Sequence, residues 1–135
     1  MIIDGANLIL GRLASYAAKR SLEGENIIIV NSELVVVSGK KENIASRYKV
    51  KADRGNPLKG PYFPKMADRI LRRTIRGMLP YKQARGKEAF ERVMCYLGVP
   101  EKYKNEKIQV LEELNFNKLK TARFIRLGEL VKSLK

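Results

Sequence analysis

The first thirty residues contain a strand–helix–strand pattern that restricts the fold more than any other part of the chain. Residues 27–30 form a continuous apolar run, which is typical of a strand buried on both faces of a sheet. Over residues 10–22 apolar side chains recur at helical spacing, with Arg12 on the opposite side. Residues 2–8 begin with β-branched side chains and are interpreted as a preceding strand. The pattern therefore predicts a βαβ unit and a parallel sheet of the α/β class.

Two further helices and one ambiguous segment follow. Residues 38–41 open a helical stretch that is predicted to run to about Arg54. Residues 54–64 are rich in Gly and Pro and are expected to be irregular, and Pro64 fits the first turn of a helix over residues 65–79. Residues 34–37 come too soon after the buried strand for a parallel crossover. They form a hairpin partner, a bent continuation or a segment outside the main sheet, and the sequence does not choose between these.

The last part of the chain gives shorter patterns. Residues 108–111 could form a strand, Phe124 and Ile125 look extended, and residues 127–134 suggest a short C-terminal helix. At 135 residues the chain is expected to be a single domain over residues 1–135, with 105–135 a less certain C-terminal extension. A helix ending near Gly98 is predicted from an apolar face formed by Ala89, Phe90, Val93, Met94 and Leu97.

Positive charge is concentrated in the middle of the chain. The sequence has 28 Lys and Arg against 14 Asp and Glu, a net charge of +14. Residues 40–92 hold 16 of the basic residues and only 5 of the acidic ones, so most of the excess lies there. A window of this kind repels itself unless a polyanion neutralises it. The charge indicates RNA, DNA or an anionic membrane as the partner, with a solvated charged surface as the simpler alternative.

The helix predicted over residues 65–79 is the most informative segment of this basic window. On a helical wheel its apolar side chains occupy one side, while five cations fall within a sector of about 100° on the other. These cations form the stripe, which consists of Lys65, Arg69, Arg72, Arg73 and Arg76. Four of these cations are Arg, and Asp68 alone interrupts the polar side. Surfaces that serve only solubility usually mix charges of both signs. Because Arg is suited to planar, bidentate recognition of phosphate, we interpret the stripe as facing a nucleic-acid backbone.

Few of the groups that catalysis requires are present. The chain has no His and one Cys, which excludes a His-based nucleophile relay, a His-metal site and a Cys-rich zinc module. Ser38-Gly39-Lys40 lacks the rest of a phosphate-binding loop, since position 34 is Leu and position 41 is Lys. The carboxylates are scattered, and Cys95, off the apolar face of its predicted helix, is interpreted as a structural thiol. A phosphate-processing α/β enzyme is the disfavoured alternative, and no cofactor or metal is expected.

Four aromatic residues are interleaved with the basic window, namely Tyr48, Tyr62, Phe63 and Tyr81. Each could stack on an unpaired base of a nucleic acid. Packing in the protein core is an equally good interpretation of each one.

No targeting segment is predicted. Residues 1–10 have neither a basic start nor an unbroken apolar core, so they do not resemble a signal peptide. No apolar run approaches the ~18–20 residues that span a bilayer. A single Cys cannot form an internal disulfide, which favours a reducing compartment. We therefore expect a soluble, intracellular protein.

The chain resembles the universal large-subunit ribosomal protein thirteen family in its archaeal and eukaryotic form. The strongest match is Arg72-Arg73-Thr74-Ile75-Arg76-Gly77-Met78-Leu79-Pro80, followed by Arg85-Gly86 and Tyr96-Leu97-Gly98. The matches keep the family's order over roughly residues 2–100 and are less distinctive after Asn105. Supporting matches are Asp4-Gly5-Ala6, Leu10-Gly11-Arg12-Leu13-Ala14, Ile29-Val30-Asn31-Ser32-Glu33, Val37-Ser38-Gly39 and Gly60-Pro61.

This resemblance implies a three-layer α/β/α domain around a mainly parallel sheet of about four strands, with basic helices and loops on the RNA-facing side. It also implies a structural role in the cytoplasm, in the large ribosomal subunit: binding its ribosomal RNA and supporting subunit assembly and translation, with no enzymatic activity. The expected partners are large-subunit ribosomal RNA and neighbouring ribosomal proteins, with no membrane and no small-molecule substrate. Residues 81–87 are predicted to form a basic loop that also faces the RNA. The expected RNA-binding residues are Lys40, Lys41, Arg47, Lys49, Lys51, Arg54, Lys59, Lys65, Arg69, Arg72, Arg73, Arg76, Lys82, Arg85 and Lys87.

Overall fold

The computed structural model describes residues 1–55, 58–61, 63–118 and 123–134. The strands are β1 (Ile2–Asp4), β2 (Ile27–Val30), β3 (Val36–Ser38), β4 (Val93–Cys95) and β5 (Phe124–Arg126). The α-helices are α1 (Leu10–Leu22), α2 (Lys41–Asp53), α3 (Ala67–Gly77), α4 (Ala84–Glu91) and α5 (Leu127–Ser133).

A parallel three-stranded sheet with the order β1–β2–β4 forms the centre of the fold. Ile2 of β1 is aligned with Ile28 of β2, and α1 connects the two strands, so the predicted βαβ unit and the α/β class are confirmed. The first strand is shorter than the predicted segment of residues 2–8. It ends because the chain turns after Asp4, whose carboxylate accepts a hydrogen bond from the Ala6 amide at 3.0 Å, and Asn7 takes a left-handed conformation with φ 64°.

The segment over residues 34–37 lies outside the main sheet, which settles the alternatives that the sequence left open. Asn31 adopts a left-handed conformation (φ 57°) and starts the 3₁₀ turn Ser32–Leu34, which leads the chain away from β2. β3 then pairs antiparallel with β5 in a separate two-stranded sheet. Ile125 of β5 and Leu127 and Leu130 of α5 are buried in the main core, so the end of the chain contributes to the fold.

The two faces of the parallel sheet pack against different partners. Ile27 and Ile29 of β2 belong to the main core together with residues of all five α-helices. On the other face Val30 is buried with Ile2 and Tyr103, and Ile28 packs against this smaller cluster. This second layer is formed in the described chain by residues 96–108, which include the 3₁₀ turn Glu101–Tyr103. None of the helices in the described ranges has both the length and the apolar character needed to cross a membrane.

The helix predicted to end near Gly98 is wrong in its second half. α4 ends at Glu91, and Val93, Met94 and Cys95 form β4 instead. The cause is a long-range contact. The edge of β2 offers hydrogen-bonding partners to the backbone of residues 93–95, and this pairing overrides the helical pattern in the sequence.

Two smaller expectations also fail. Pro64 lies before the first turn of α3, because Met66, the residue that precedes the helix, is extended (φ −101°, ψ 143°). Residues 108–111 form no full strand. Gln109 alone extends the sheet beside β1, through hydrogen bonds from its amide to the Ile2 carbonyl (2.8 Å) and from the Asp4 amide to its own carbonyl (2.9 Å).

Two helical glycines give opposite expectations for substitution by alanine. Gly86 lies in the first turn of α4, and a β-carbon there would overlap the carbonyl of Pro80. We expect Gly86→Ala to lower the free energy of unfolding by about 1–3 kcal/mol, the usual cost of forcing extra volume into a packed site. The measurement is urea denaturation of the two proteins side by side.

Gly77 of α3 is the matched control, since a β-carbon there has no atom within 4 Å. Gly77→Ala should raise the free energy of unfolding by about 0.5–1 kcal/mol, because alanine restricts the unfolded chain and favours the helix. Equal effects of the two substitutions would contradict the close approach of α4 to Pro80.

Candidate nucleic-acid interface

Helix α3 has the two-sided character that the sequence predicts. Ala67, Ile70, Leu71 and Ile75 are buried in the main core, while the cations of the stripe lie on the outer side. The helical wheel is wrong at both ends of the predicted segment, because it places Met66 and Met78 on the apolar side. Their side chains are 45% and 43% exposed. Both residues lie just outside the helix, so its periodicity does not apply to them.

The stripe lines a surface cleft of about 440 Å³, here called the α3 cleft. Non-basic residues form the rest of its wall, and Arg69 and Arg73 are exposed at its surface. The full lining consists of Phe63, Pro64, Lys65, Arg69, Arg72, Arg73, Arg76 and Phe90.

A second cleft of about 490 Å³, the interhelix cleft, lies between α2 and α3. Lys51 and Arg54 reach it from the end of α2, and Arg73 reaches it from α3. Phe63 and Arg73 line both clefts, so the two adjoin and form one basic surface. The remaining lining of the interhelix cleft consists of Tyr48, Pro61, Ile70, Thr74 and Gly77.

The aromatic residues of the basic window have different environments. Tyr48 is buried in the main core, which raises the pKa of its hydroxyl, so core packing is the interpretation that holds for it. Its ring centroid lies 6.1 Å from that of Phe63, and the Lys51 ammonium lies 5.3 Å from the Tyr48 ring centroid. Phe63 is half-buried and Tyr81 is 39% exposed. Tyr62 lies outside the described residues.

Arg72 is held by the protein itself. Its Nε donates to the carbonyl of Val93 at 3.0 Å and its Nη2 donates to the carbonyl of Phe90 at 3.3 Å. The guanidinium carbon lies 4.0 Å from the centroid of the Phe90 ring, a close cation–π contact. These contacts join α3 to the chain between α4 and β4, so Arg72 has a structural task that the sequence pattern did not indicate.

The other cations of the stripe have no acidic partner within the described chain. The ion pairs among the described residues all involve other cations. They join Arg20 to Glu23 and Glu25, Lys41 to Glu129, and Arg92 to Glu88. Asp68 forms no ion pair with these cations in the described chain, and its Oδ1 is buried without a hydrogen bond from the described residues. Arg69 and Arg73 are therefore charges that the described protein leaves uncompensated.

The fifteen sequence-predicted residues do not form one cluster. All are exposed except Arg72 and Arg76, which are half-buried. Lys40 and Lys41 line a separate cleft of about 460 Å³ at the start of α2. Arg47 lines a fourth cleft, of about 410 Å³. Five of the predicted residues line none of these four clefts, namely Lys49, Lys59, Lys82, Arg85 and Lys87.

The basic loop predicted over residues 81–87 is wrong as a loop. Lys82 follows α3 in a turn, but Arg85 and Lys87 lie on α4. The helix forms because buried Gly86 lets the first turn of α4 pack on Pro80, and the Lys87 amide donates to the Gln83 carbonyl.

Two cations of the basic surface were missed by sequence reasoning. Arg12 lines a cleft of about 410 Å³ together with Arg47 and Tyr48. Arg123 lies beside Lys40 and Lys41. The position of Arg12 on the polar side of α1 was the one available signal, whereas Arg123 is brought there by the pairing of β3 with β5, which the sequence did not predict.

Cys95 is a structural thiol, as the sequence suggested, although it lies on β4 rather than on a helix. It is buried, and burial raises the pKa of its thiol to about 12. A thiol of this kind stays protonated and is a poor nucleophile. Within the described residues no group of three or more acidic or Cys side chains could hold a metal ion.

The contacts of Arg72 predict that it contributes more to the stability of the fold than its neighbour Arg73 does. Arg72→Lys keeps the charge but loses the two hydrogen bonds to main-chain carbonyls, so we expect the free energy of unfolding to fall by about 1–3 kcal/mol. Arg73→Lys, on the same helix, should change it by less than about 0.5 kcal/mol. Thermal and urea denaturation measure both changes. Equal stability of the two variants would contradict a structural role for the hydrogen bonds of Arg72.

Comparison with known proteins identifies the family of the chain. Residues 1–102 match the family described as Ribosomal protein L13. The large ribosomal subunit protein uL13 of Archaeoglobus fulgidus is 44% identical over 134 residues, which cover 98% of this chain and 86% of the relative. The uL13 proteins of Methanosarcina barkeri and Methanocaldococcus jannaschii are each 47% identical, over 95% and 98% of this chain and 92% and 96% of their own lengths. The resemblance seen in the sequence is thus confirmed, and the chain belongs to the Ribosomal protein L13 family.

Proposed function

We propose that this chain is a structural protein of the large ribosomal subunit that binds large-subunit ribosomal RNA through the α3 and interhelix clefts. Family membership supports the ribosomal part of the proposal, since relatives that match nearly the whole chain are named as large-subunit proteins. This role puts the chain in the cytoplasm with the ribosomes, beside neighbouring ribosomal proteins. It is a structural component and not an enzyme.

The observation that carries the RNA-binding part is the uncompensated charge on α3. Arg69 and Arg73 are exposed at adjoining clefts and have no acidic partner in the described chain. Phosphates of a folded RNA supply the missing negative charge. Arg is suited to this task because its planar fork donates two parallel hydrogen bonds to phosphate oxygens.

The mechanism is neutralisation of RNA backbone that would otherwise repel itself. Cations from α2 (Lys51), from Arg54 and from α3 (Arg73) meet at the interhelix cleft, so phosphates from separate stretches of RNA can be held close together there. Each contact also releases condensed counterions, which makes binding strongly dependent on salt. Wherever the RNA is helical, its shape rather than its base sequence is read.

Of the other candidate residues, Arg47 adjoins this surface, while Lys40 and Lys41 line the separate cleft at the start of α2. Arg47 joins it through Tyr48, which lines both the interhelix cleft and the cleft that contains Arg12. The proposed RNA-binding set is therefore the fifteen sequence-predicted residues together with Arg12 and Arg123, while Arg72 serves mainly to fix the position of α3.

Salt dependence gives the first test. If the surface neutralises about 6–10 phosphates, affinity for large-subunit ribosomal RNA should fall about 10³–10⁵-fold between 50 and 200 mM salt, on the scaling known for duplex DNA. Arg69→Glu with Arg73→Glu removes two phosphate contacts, so the slope of log affinity against log salt should fall by about two. Filter binding of the full chain across a salt series measures both quantities.

The matched control reverses two cations outside the basic window. Lys104 and Lys107 are exposed on the segment that covers the other face of the sheet, and Lys104→Glu with Lys107→Glu changes the net charge by the same amount. This pair should leave the salt slope nearly unchanged. A loss of slope that depends only on net charge, equal for the two pairs, would contradict the assignment of the surface. Duplex DNA that competes as well as ribosomal RNA would contradict the recognition of RNA by this surface.

A further inference from the structure

The α3 cleft has a composition that contact with helical RNA backbone does not require. Beside its five cations it contains two aromatic rings, Phe63 and Phe90, together with Pro64. The cleft is open to solvent, and its volume of about 440 Å³ is within the size range of small-ligand sites. Cations alone are sufficient to bind phosphate, whereas an aromatic wall gains energy only when a flat or apolar group lies against it.

Arg72 gives the cleft a rigid, flat surface. One face of its guanidinium lies on the Phe90 ring at 4.0 Å, and hydrogen bonds to Val93 and Phe90 carbonyls fix its plane. A guanidinium plane can stack on a nucleic-acid base. Arg72 is only half-buried and lines the cleft. Because the side chain is already ordered, stacking on it costs little further conformational entropy.

Phe63 contributes a second aromatic ring to the lining of the cleft. It packs against buried Tyr48, with 6.1 Å between the ring centroids, and the Lys51 ammonium lies 5.9 Å from its centroid. These contacts hold the ring from the side of the interhelix cleft, while the residue also lines the α3 cleft. The ring therefore has a supported position at the boundary of both clefts.

The cations of the cleft complete a site for a nucleotide. Arg69 and Arg73 are exposed at the cleft and have no acidic partner in the described chain, and Lys65 is exposed beside them. A nucleotide combines a flat aromatic base with a negatively charged phosphate, and the cleft offers a complement to each. A fully paired helix does not fit this arrangement, because its bases are stacked on one another and unavailable.

Resting on the function proposed above, we propose that the α3 cleft binds one unpaired nucleotide of the RNA. Its base lies between the Phe63 ring and the guanidinium of Arg72, and its phosphate contacts Arg69 and Arg73. The cleft thus distinguishes a bulged or looped position from a regular helix, which phosphate contacts alone cannot do.

The test compares two RNA hairpins that differ only by one bulged nucleotide in the stem. The full chain should bind the bulged hairpin at least about fivefold more tightly than the paired one, the effect of even a weak base–aromatic stack. Phe63→Leu should lower the affinity for the bulged hairpin until it no longer exceeds that for the paired one, because leucine has no ring on which the base can stack. Equal affinity of the unmodified chain for both hairpins would overturn the proposal.

Tyr81→Leu is the matched control, since Tyr81 is an exposed aromatic residue next to a cation, Arg76, but does not line the cleft. It should keep the preference for the bulge, and loss of the preference in this variant would overturn the proposal. A hairpin with 2-aminopurine as the bulged base tests the unmodified chain directly. Its fluorescence should fall on binding as the base stacks, and unchanged fluorescence in the complex would contradict a stacked base.

Failure of this proposal can be told apart from failure of the proposed function. If Arg69→Glu with Arg73→Glu weakens binding of both hairpins while the unmodified chain shows no preference, the RNA-binding surface stands and the nucleotide site does not. If those substitutions leave both affinities unchanged, the RNA-binding surface itself is misassigned.

Discussion

Burial of one side of α3 is the constraint on which the proposed RNA-binding surface depends. Ile70, Leu71 and Ile75 are each at most 1% exposed, so the helix cannot rotate about its axis without exposing core side chains. The cations at the opposite positions are consequently fixed toward solvent. Arg72 strengthens this arrangement through its hydrogen bonds to the Val93 and Phe90 carbonyls, which attach the helix to the junction of α4 and β4. Packing and charge presentation are thus two consequences of a single helical pattern.

The same arrangement predicts that stability and the proposed RNA binding can be separated on one helix. Arg72 and Arg73 are neighbours in sequence, but the first donates hydrogen bonds to the protein while the second lies exposed between two clefts. Elsewhere in the described chain cations such as Arg20 and Lys41 have carboxylate partners. The absence of such partners for Arg69 and Arg73 among the described residues is what makes α3 suited to an external polyanion.

Local pattern was sufficient to predict the βαβ unit, α2 and the two sides of α3, because helical periodicity and an unbroken apolar run depend on neighbouring residues only. It failed where long-range pairing decides the structure. Val93, Met94 and Cys95 follow a helical pattern yet form β4, because β2 supplies hydrogen-bonding partners that are remote in sequence. The separate β3–β5 sheet and the position of Arg123 near Lys40 could not be predicted for the same reason. The different environments of Arg72 and Arg73 could not be predicted either. Residue type alone does not say whether a guanidinium contacts solvent or a main-chain carbonyl.

The most direct test of the central claim is arginine modification by phenylglyoxal, read residue by residue by mass spectrometry, in the free chain and in its complex with large-subunit ribosomal RNA. The account predicts that Arg69 and Arg73 react readily in the free chain and become protected in the complex. Arg20, which is paired with Glu25 outside the basic window, should react at the same rate in both states. Equal reactivity of Arg69 and Arg73 with and without RNA would contradict the claim that the outer side of α3 faces the RNA.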